Sequence, residues 1–141
     1  MSARLKDWEK LMDAAIAARV TQTFKRGLTD CIMTIADIVQ AGTGVDFAAD
    51  YRGRYTDDLG AFRIITEGGG DLGKMIAGRM ESLGWREIKP NFAHRGDVAF
   101  IYRGKLDQAL GIFTGAGILT PDKVGLKTIP RTEALRAWRI S

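Results

Sequence analysis

Across 141 residues the chain has one cysteine, Cys31, and one histidine, His94. A lone cysteine forbids an intrachain disulfide and leaves no multi-cysteine zinc or iron–sulfur site. A lone histidine excludes a histidine-rich metal centre, so no metal or other cofactor is expected. No run of about 18 apolar residues is present, so no membrane span is expected. Arg4, Lys6, Asp7, Glu9 and Lys10 fall where a signal peptide would need an apolar stretch. Export by the ordinary secretory route is therefore not expected. Repeats and low-complexity segments are absent as well.

What is present describes a folded protein. Hydrophobic residues make up 45% and charged residues 27% of the chain, the balance of a globular domain. The length suits one domain with a sizeable core, so 1–141 is read as a single domain. The net charge is +4, spread along the chain. Such a balance favours acidic partners, and a solvated surface of mixed charge accounts for it equally well.

Helices come first. Leu5, Trp8, Leu11, Met12, Ala15, Ile16 and Val20 recur at three- and four-residue spacing, which predicts an amphipathic helix within 1–22 with Ser2 as its N-cap. Gln22 to Leu28 reads as a loop. Thr29 or Asp30 then caps a helix carrying Ile32, Ile35, Ala36 and Val39, which ends at Gly42-Thr43-Gly44. A third helix opens at Thr56-Asp57-Asp58, carries Leu59, Phe62 and Ile65, and stops at Gly68-Gly69-Gly70. Asp71 caps a fourth, with Leu72, Met75, Ile76, Met80 and Leu83, closed by Gly84. These elements make 29–84 a helical half.

Residues 85–141 read as a β half. Trp85 to Ile88, Asp97 to Arg103, Ala109 to Thr114, Gly117 to Leu119, Val124 to Ile129 and Ala137 to Ile140 are short strand-like runs between turn signals. Helices followed by an antiparallel sheet give an α+β architecture, N-terminal helices packed on a C-terminal sheet.

Cys31 sits just after a helix cap. Exposed N–H groups and the helix dipole stabilise a thiolate there, so the position suits a reactive cysteine. It equally suits a small apolar residue packed in a core.

Asp30-Cys31, the apolar helix and Gly42-Thr43-Gly44 together resemble the start of NlpC-type peptidases, papain-like enzymes that cut cell-wall peptides. Arg95-Gly96-Asp97-Val98-Ala99-Phe100 is similar to that superfamily's Gly-Asp-Leu strand opening, and Ala109-Leu110-Gly111-Ile112-Phe113 to its His-Val-Gly-Ile-Tyr strand. The resemblance runs from about Phe24 to the C-terminus and implies a papain-like, NlpC-type fold with Cys31 at the nucleophile position. A narrower resemblance is to phage-encoded proteins of uncharacterised function found among tail-tip genes. It is carried by Asp30-Cys31, Thr43-Gly44-Val45-Asp46, Arg52-Gly53-Arg54-Tyr55, Gly68-Gly69, Gly96-Asp97 and Ala137-Trp138-Arg139-Ile140. It implies a virion protein of a bacteriophage, or gene-transfer-agent-like, tail tip or baseplate, assembled in the host cytoplasm, with other tail proteins as partners.

One departure governs the chemistry. A papain-like enzyme needs an imidazole to take the thiol proton and later protonate the leaving group. At the strand position where the pattern has that histidine, this chain has Ala109, preceded by Gln108. Ile32-Met33 replaces the usual Ser-Gly. His94, in the loop before Gly96-Asp97, is the only substitute base. The expectation is a degenerate NlpC-like domain, a pseudoenzyme with a structural or assembly role. The alternative is an active cysteine peptidase or amidase on peptidoglycan peptides using Cys31, and only in that case is peptidoglycan a partner.

Other motifs have plainer readings. Gly68 to Lys74 has phosphate-loop spacing, but Met75 replaces the magnesium-binding hydroxyl residue and a helix precedes it, so a turn between helices is expected. Tyr51-Arg52-Gly53-Arg54-Tyr55 interleaves base and aromatic as single-stranded nucleic acid binders do, and its arginines equally suit pairing in a turn. Asp30 and Asp97 are candidates for a carboxylate pair or, singly, for a helix cap and a turn anchor. Trp138 is expected in the core of the last strand and Trp8 as the residue fixing the first helix. Either tryptophan could instead anchor an interface.

Overall fold

The computed structural model describes residues 4–102 and 108–140. Ser2, expected as an N-cap, and Arg103, expected to end a strand, lie outside them. The described residues form four helices and a six-stranded antiparallel sheet, the α+β architecture expected. None of these helices is long and apolar enough to cross a membrane.

The first helix, α1 (Trp8–Ala17), is shorter than its apolar period suggests. Asp7 is left-handed at φ 60°, without a side-chain cap. The reason is tertiary. The Leu5 N–H donates to the Gly42 carbonyl at 2.8 Å, and Arg4 is held by the far end of the chain, so residues 4–7 form a strap. Trp8 lies under this strap, with the Arg4 guanidinium 3.9 Å from its ring centroid.

Helix α2 (Cys31–Thr43) is the central rod, with ten of its 13 residues buried. A helix that is apolar nearly all round has to be enclosed, and α2 lies against α1 on one side and the sheet on the other. Helices α3 (Asp58–Glu67) and α4 (Leu72–Ser82) start at Asp57 and Asp71, whose carboxylates accept the N–H groups of Gly60 and Lys74, both at 2.7 Å. Each such cap stabilises its helix by about 1 kcal/mol.

Helix α3 turns a different face inward from the one its large residues suggested. Ala61 and Ile64 are buried, whereas Leu59 and Phe62 are about two-thirds exposed. Gly60 abuts Tyr55 so closely that a Cβ there would lie 2.9 Å from the Tyr55 Cβ, and this contact fixes the rotation.

The strands are β1 (Glu87–Ile88), β2 (Val98–Tyr102), β3 (Gln108–Thr114), β4 (Gly117–Pro121), β5 (Leu126–Ile129) and β6 (Ala134–Trp138), in the order β1-β6-β2-β3-β4-β5. The first strand is shorter than expected, and the last begins three residues earlier and ends at Trp138, which is buried as expected. After Trp138 the chain leaves the ladder because Asp97 captures Arg139 and the Ile140 N–H.

Both faces of the sheet are covered. Val98, Phe100, Leu110, Ile112 and Trp138 pack in the same core as the helices. Ala99, Ile101, Phe113, Ile118 and Ala137 form a second, smaller core. This explains why β2 is buried from Val98 through Ile101 without alternation. Gly111 in β3 is a packing necessity, since a Cβ there would sit 2.3 Å from Ile118 Cγ2 and 2.9 Å from the Leu119 carbonyl oxygen.

Candidate functional site

The head of α2 is built around Asp30. Its carboxylate, fully buried, accepts the N–H of Met33 (2.9 Å), the N–H of Gly27 (2.8 Å) and the hydroxyl of Tyr55 (2.6 Å). Asp30 thus caps the helix, folds the preceding loop and anchors Tyr55. Gly27 adopts φ +86° there, with its α-carbon so close to the Tyr55 carbonyl that a Cβ would stand 2.3 Å from the oxygen.

Cys31 follows, 9% exposed, at the wall of an open cavity of about 180 Å³. Ala109, at the start of β3, lines the same cavity, together with Gln108, Ile101, Thr120, Pro121, Ile129, Phe24, Arg26 and Lys127. The fold therefore brings together the two positions, 31 and 109, that the sequence pattern pairs as nucleophile and base.

The electrostatics oppose nucleophilic use of the thiol. Burial, and then the neighbouring Asp30 carboxylate, push the Cys31 thiol up to about 11. The expectation that the helix N-terminus favours the thiolate is thus corrected. Desolvation and a like charge next door outweigh the dipole, part of which Asp30 has already taken up as the cap. Burial and Asp30 likewise push the Tyr55 phenol well above its ordinary range.

No described residue lining the cavity is a histidine. His94 lies in the turn before β2, where its backbone N–H donates to Asp97 Oδ2 at 2.8 Å. The Thr120 hydroxyl donates to the Leu110 carbonyl at 2.8 Å. The Gln108 side-chain oxygen accepts the Leu72 N–H, also at 2.8 Å, at the start of α4. Among the described residues no group of three or more His, Cys, Asp and Glu is placed to hold a metal ion.

Asp97 is a separate, fully buried hub. Its oxygens meet Arg4 and Arg139, each at 3.0 Å, and the backbone N–H groups of His94 and Ile140. It ties the N-terminal strap, the turn into β2 and the C-terminal segment together. Asp30 and Asp97 are thus a cap and a clamp with separate partners, rather than a carboxylate pair.

The basic-aromatic cluster is also structural. Tyr51 and Tyr55 are buried, Arg52 pairs with both Asp37 (2.5 Å) and Asp46 (2.6 Å), and Arg54 pairs with Glu67 (3.1 Å). Neither aromatic presents an open face for a base to stack on. Gly68 to Asp71 join α3 to α4, and Leu72 to Lys74 form the first turn of α4.

Residues of the motifs singled out in the sequence thus make fold-fixing contacts: Asp30 with Tyr55, Asp46 with Arg52, and Asp97 with Arg139. Sequence reasoning missed the outer wall of the cavity, Phe24, Arg26, Thr120, Lys127 and Ile129. Residues 22–24 reach it by clasping the β4–β5 turn: the Phe24 N–H donates to the Lys123 carbonyl at 2.9 Å, and the Gly125 N–H to that of Gln22 at 2.7 Å. No local pattern in either segment announces that long-range pairing.

A family model described as a domain of unknown function (DUF6950) matches residues 3–140. No curated protein matches the chain.

Proposed function

We propose that this chain, which belongs to the DUF6950 family, is a degenerate papain-like, NlpC-type domain. It serves as a non-catalytic structural or assembly component of a bacteriophage tail tip or baseplate. The observation that carries the non-catalytic reading is Ala109 lining the cavity beside Cys31. A methyl group transfers no proton, and a missing general base typically costs about 10²–10⁴-fold in rate. The raised thiol adds to that loss, because the thiolate is the reactive form.

Three features support the papain-like reading. A buried helix begins with the cysteine, an antiparallel sheet follows it in the chain, and position 109 of β3 lies beside that cysteine. The tail-tip reading rests on the spaced motifs, with partners expected among tail proteins.

Two experiments test these readings. Incubation of the full chain with purified peptidoglycan and cell-wall peptides should release no product above the level of Cys31→Ser. Cleavage that disappears in Cys31→Ser would replace this reading with an active cysteine hydrolase. Mass spectrometry of purified particles and assembly intermediates from a strain producing the protein should find it with tail components. Its absence from both would remove the tail assignment.

A further inference from the structure

The cavity beside Cys31 keeps the chemistry of a binding site although the groups for catalysis are gone. Its lining mixes the apolar Ile101, Ala109 and Ile129 with the cationic Arg26 and Lys127 and the polar Gln108 and Thr120. Arg26 pairs through Nε with Asp58 at 2.9 Å, whose side chain is 88% exposed, and its guanidinium lies over the Phe24 ring, 4.9 Å from the centroid. Its Nη groups make no hydrogen bond or ion pair among the described residues, and stacking on a ring leaves their N–H edge open. Lys127 makes no ion pair among the described residues. Two cations in a hollow that also presents apolar side chains favour a ligand that joins a negative charge to an apolar group, and a guanidinium matches a carboxylate in geometry as well as in charge.

Size and surroundings narrow the ligand further. A hollow of about 180 Å³ is smaller than the roughly 300–1,000 Å³ of drug-sized sites. It takes a side chain and a terminus rather than a folded surface. Lys127 and Ile129 belong to β5, which stands at the edge of the sheet. An extended peptide can add its backbone to such an edge, and capture of a terminal carboxylate is a recurring mode of peptide recognition.

We infer that this cavity binds the C-terminal end of a partner polypeptide, its last apolar side chain against Ala109 and Ile129 and its terminal carboxylate on Arg26 and Lys127. The inference rests on the non-catalytic reading above and gives it a partner chemistry.

The test titrates the isotopically labelled full chain with an acetylated glycine-serine hexapeptide ending in leucine, as free acid and as C-terminal amide, followed by NMR. The free acid should shift the amides of Arg26, Ala109, Lys127 and Ile129. The amide should bind about tenfold more weakly, as should the free acid to Arg26→Gln or Lys127→Gln, the loss of one ionic contact at a partly wet site. Ala109→Trp, which fills the hollow, should abolish binding, with the spectrum reporting whether the variant is folded. Equal affinity for acid and amide would overturn the inference. So would indifference to both charge-removing variants, or no shift at millimolar peptide. An amidated peptide with glutamate before the leucine that binds as tightly as the free acid would also overturn it, in favour of acidic side chains. Cleavage of the peptide that Cys31→Ser abolishes would instead refute the non-catalytic reading, so the two failures are distinguishable.

Discussion

Alkylation of Cys31 by iodoacetamide across a pH series measures whether the cavity still activates its thiol. The thiol is pushed up to about 11 by burial and by Asp30, against about 8.5 for a free cysteine. At neutral pH that separation lowers the thiolate fraction, and with it the alkylation rate, by roughly 10²-fold relative to the unfolded chain. The rate should climb about tenfold per pH unit through pH 10 without a plateau. The same shift links to stability. Between about 8.5 and 11 the unfolded chain releases the thiol proton first, so it binds fewer protons than the native chain and stability falls as pH rises. The contribution lost across that window is about 3 kcal/mol. The raised Tyr55 phenol acts in the same direction. Urea denaturation from pH 7.5 to 10.5 should therefore show a steep alkaline loss, and Cys31→Ala should be flatter. A rate plateau with an apparent pKa below 8, or identical pH slopes for wild type and Cys31→Ala, would refute the reasoning. The first result would mean an activated thiol and a base that the cavity does not show.

Three substitutions probe the rest of the frame. Asp97→Asn leaves Arg4 and Arg139 without their buried counter-charge and should cost about 3–5 kcal/mol in urea unfolding; a loss below 1 kcal/mol would mean that the clamp does not hold the chain ends. Gly111→Ala drives a methyl group into Ile118 and should cost about 1–3 kcal/mol by the same measurement, with a neutral result showing that β3 and β4 have room to separate. Ala109→His places an imidazole in the cavity and, by favouring the thiolate, should raise iodoacetamide reactivity at pH 7 by about tenfold; unchanged reactivity would show that position 109 does not face Cys31.

Helix caps were the most legible part of the sequence. Asp30, Asp57 and Asp71 each accept an N–H of their own helix's first turn, and such short-range chemistry shows in the sequence order alone. The strand set was legible for the same reason, since glycine and charged turns bracket each run. The misread parts were decided by distant partners. Leu5 fits a helical period, yet its N–H is taken by Gly42. Leu59 and Phe62 look like a core face, yet Tyr55 rotates α3 so that Ala61 and Ile64 go inside. Arg139 looks like a strand residue, yet it answers the Asp97 charge. In the site, residues 31 and 109 were paired by pattern, whereas Phe24, Arg26 and Lys127 arrive through a clasp that no spacing rule encodes.

The three contacts of Asp30 give the aspartate at the start of α2 a structural reason that does not depend on the neighbouring thiol. Asp30 is needed wherever this loop, this helix and Tyr55 must meet, because its carboxylate satisfies a donor from each. Removing it would strand two backbone N–H groups and a buried hydroxyl, at about 1–3 kcal/mol for each group left unsatisfied. Cys31 is under no comparable constraint. Its thiol is small, neutral and nearly buried, and a serine or alanine of similar size fits the same wall. The structural demand for aspartate at position 30 is therefore independent of catalysis, while the identity of residue 31 is free to respond to what the cavity holds. On this reasoning Asp30→Ala should destabilise the protein far more than Cys31→Ala, and the converse order would place the weight of the site on the thiol instead.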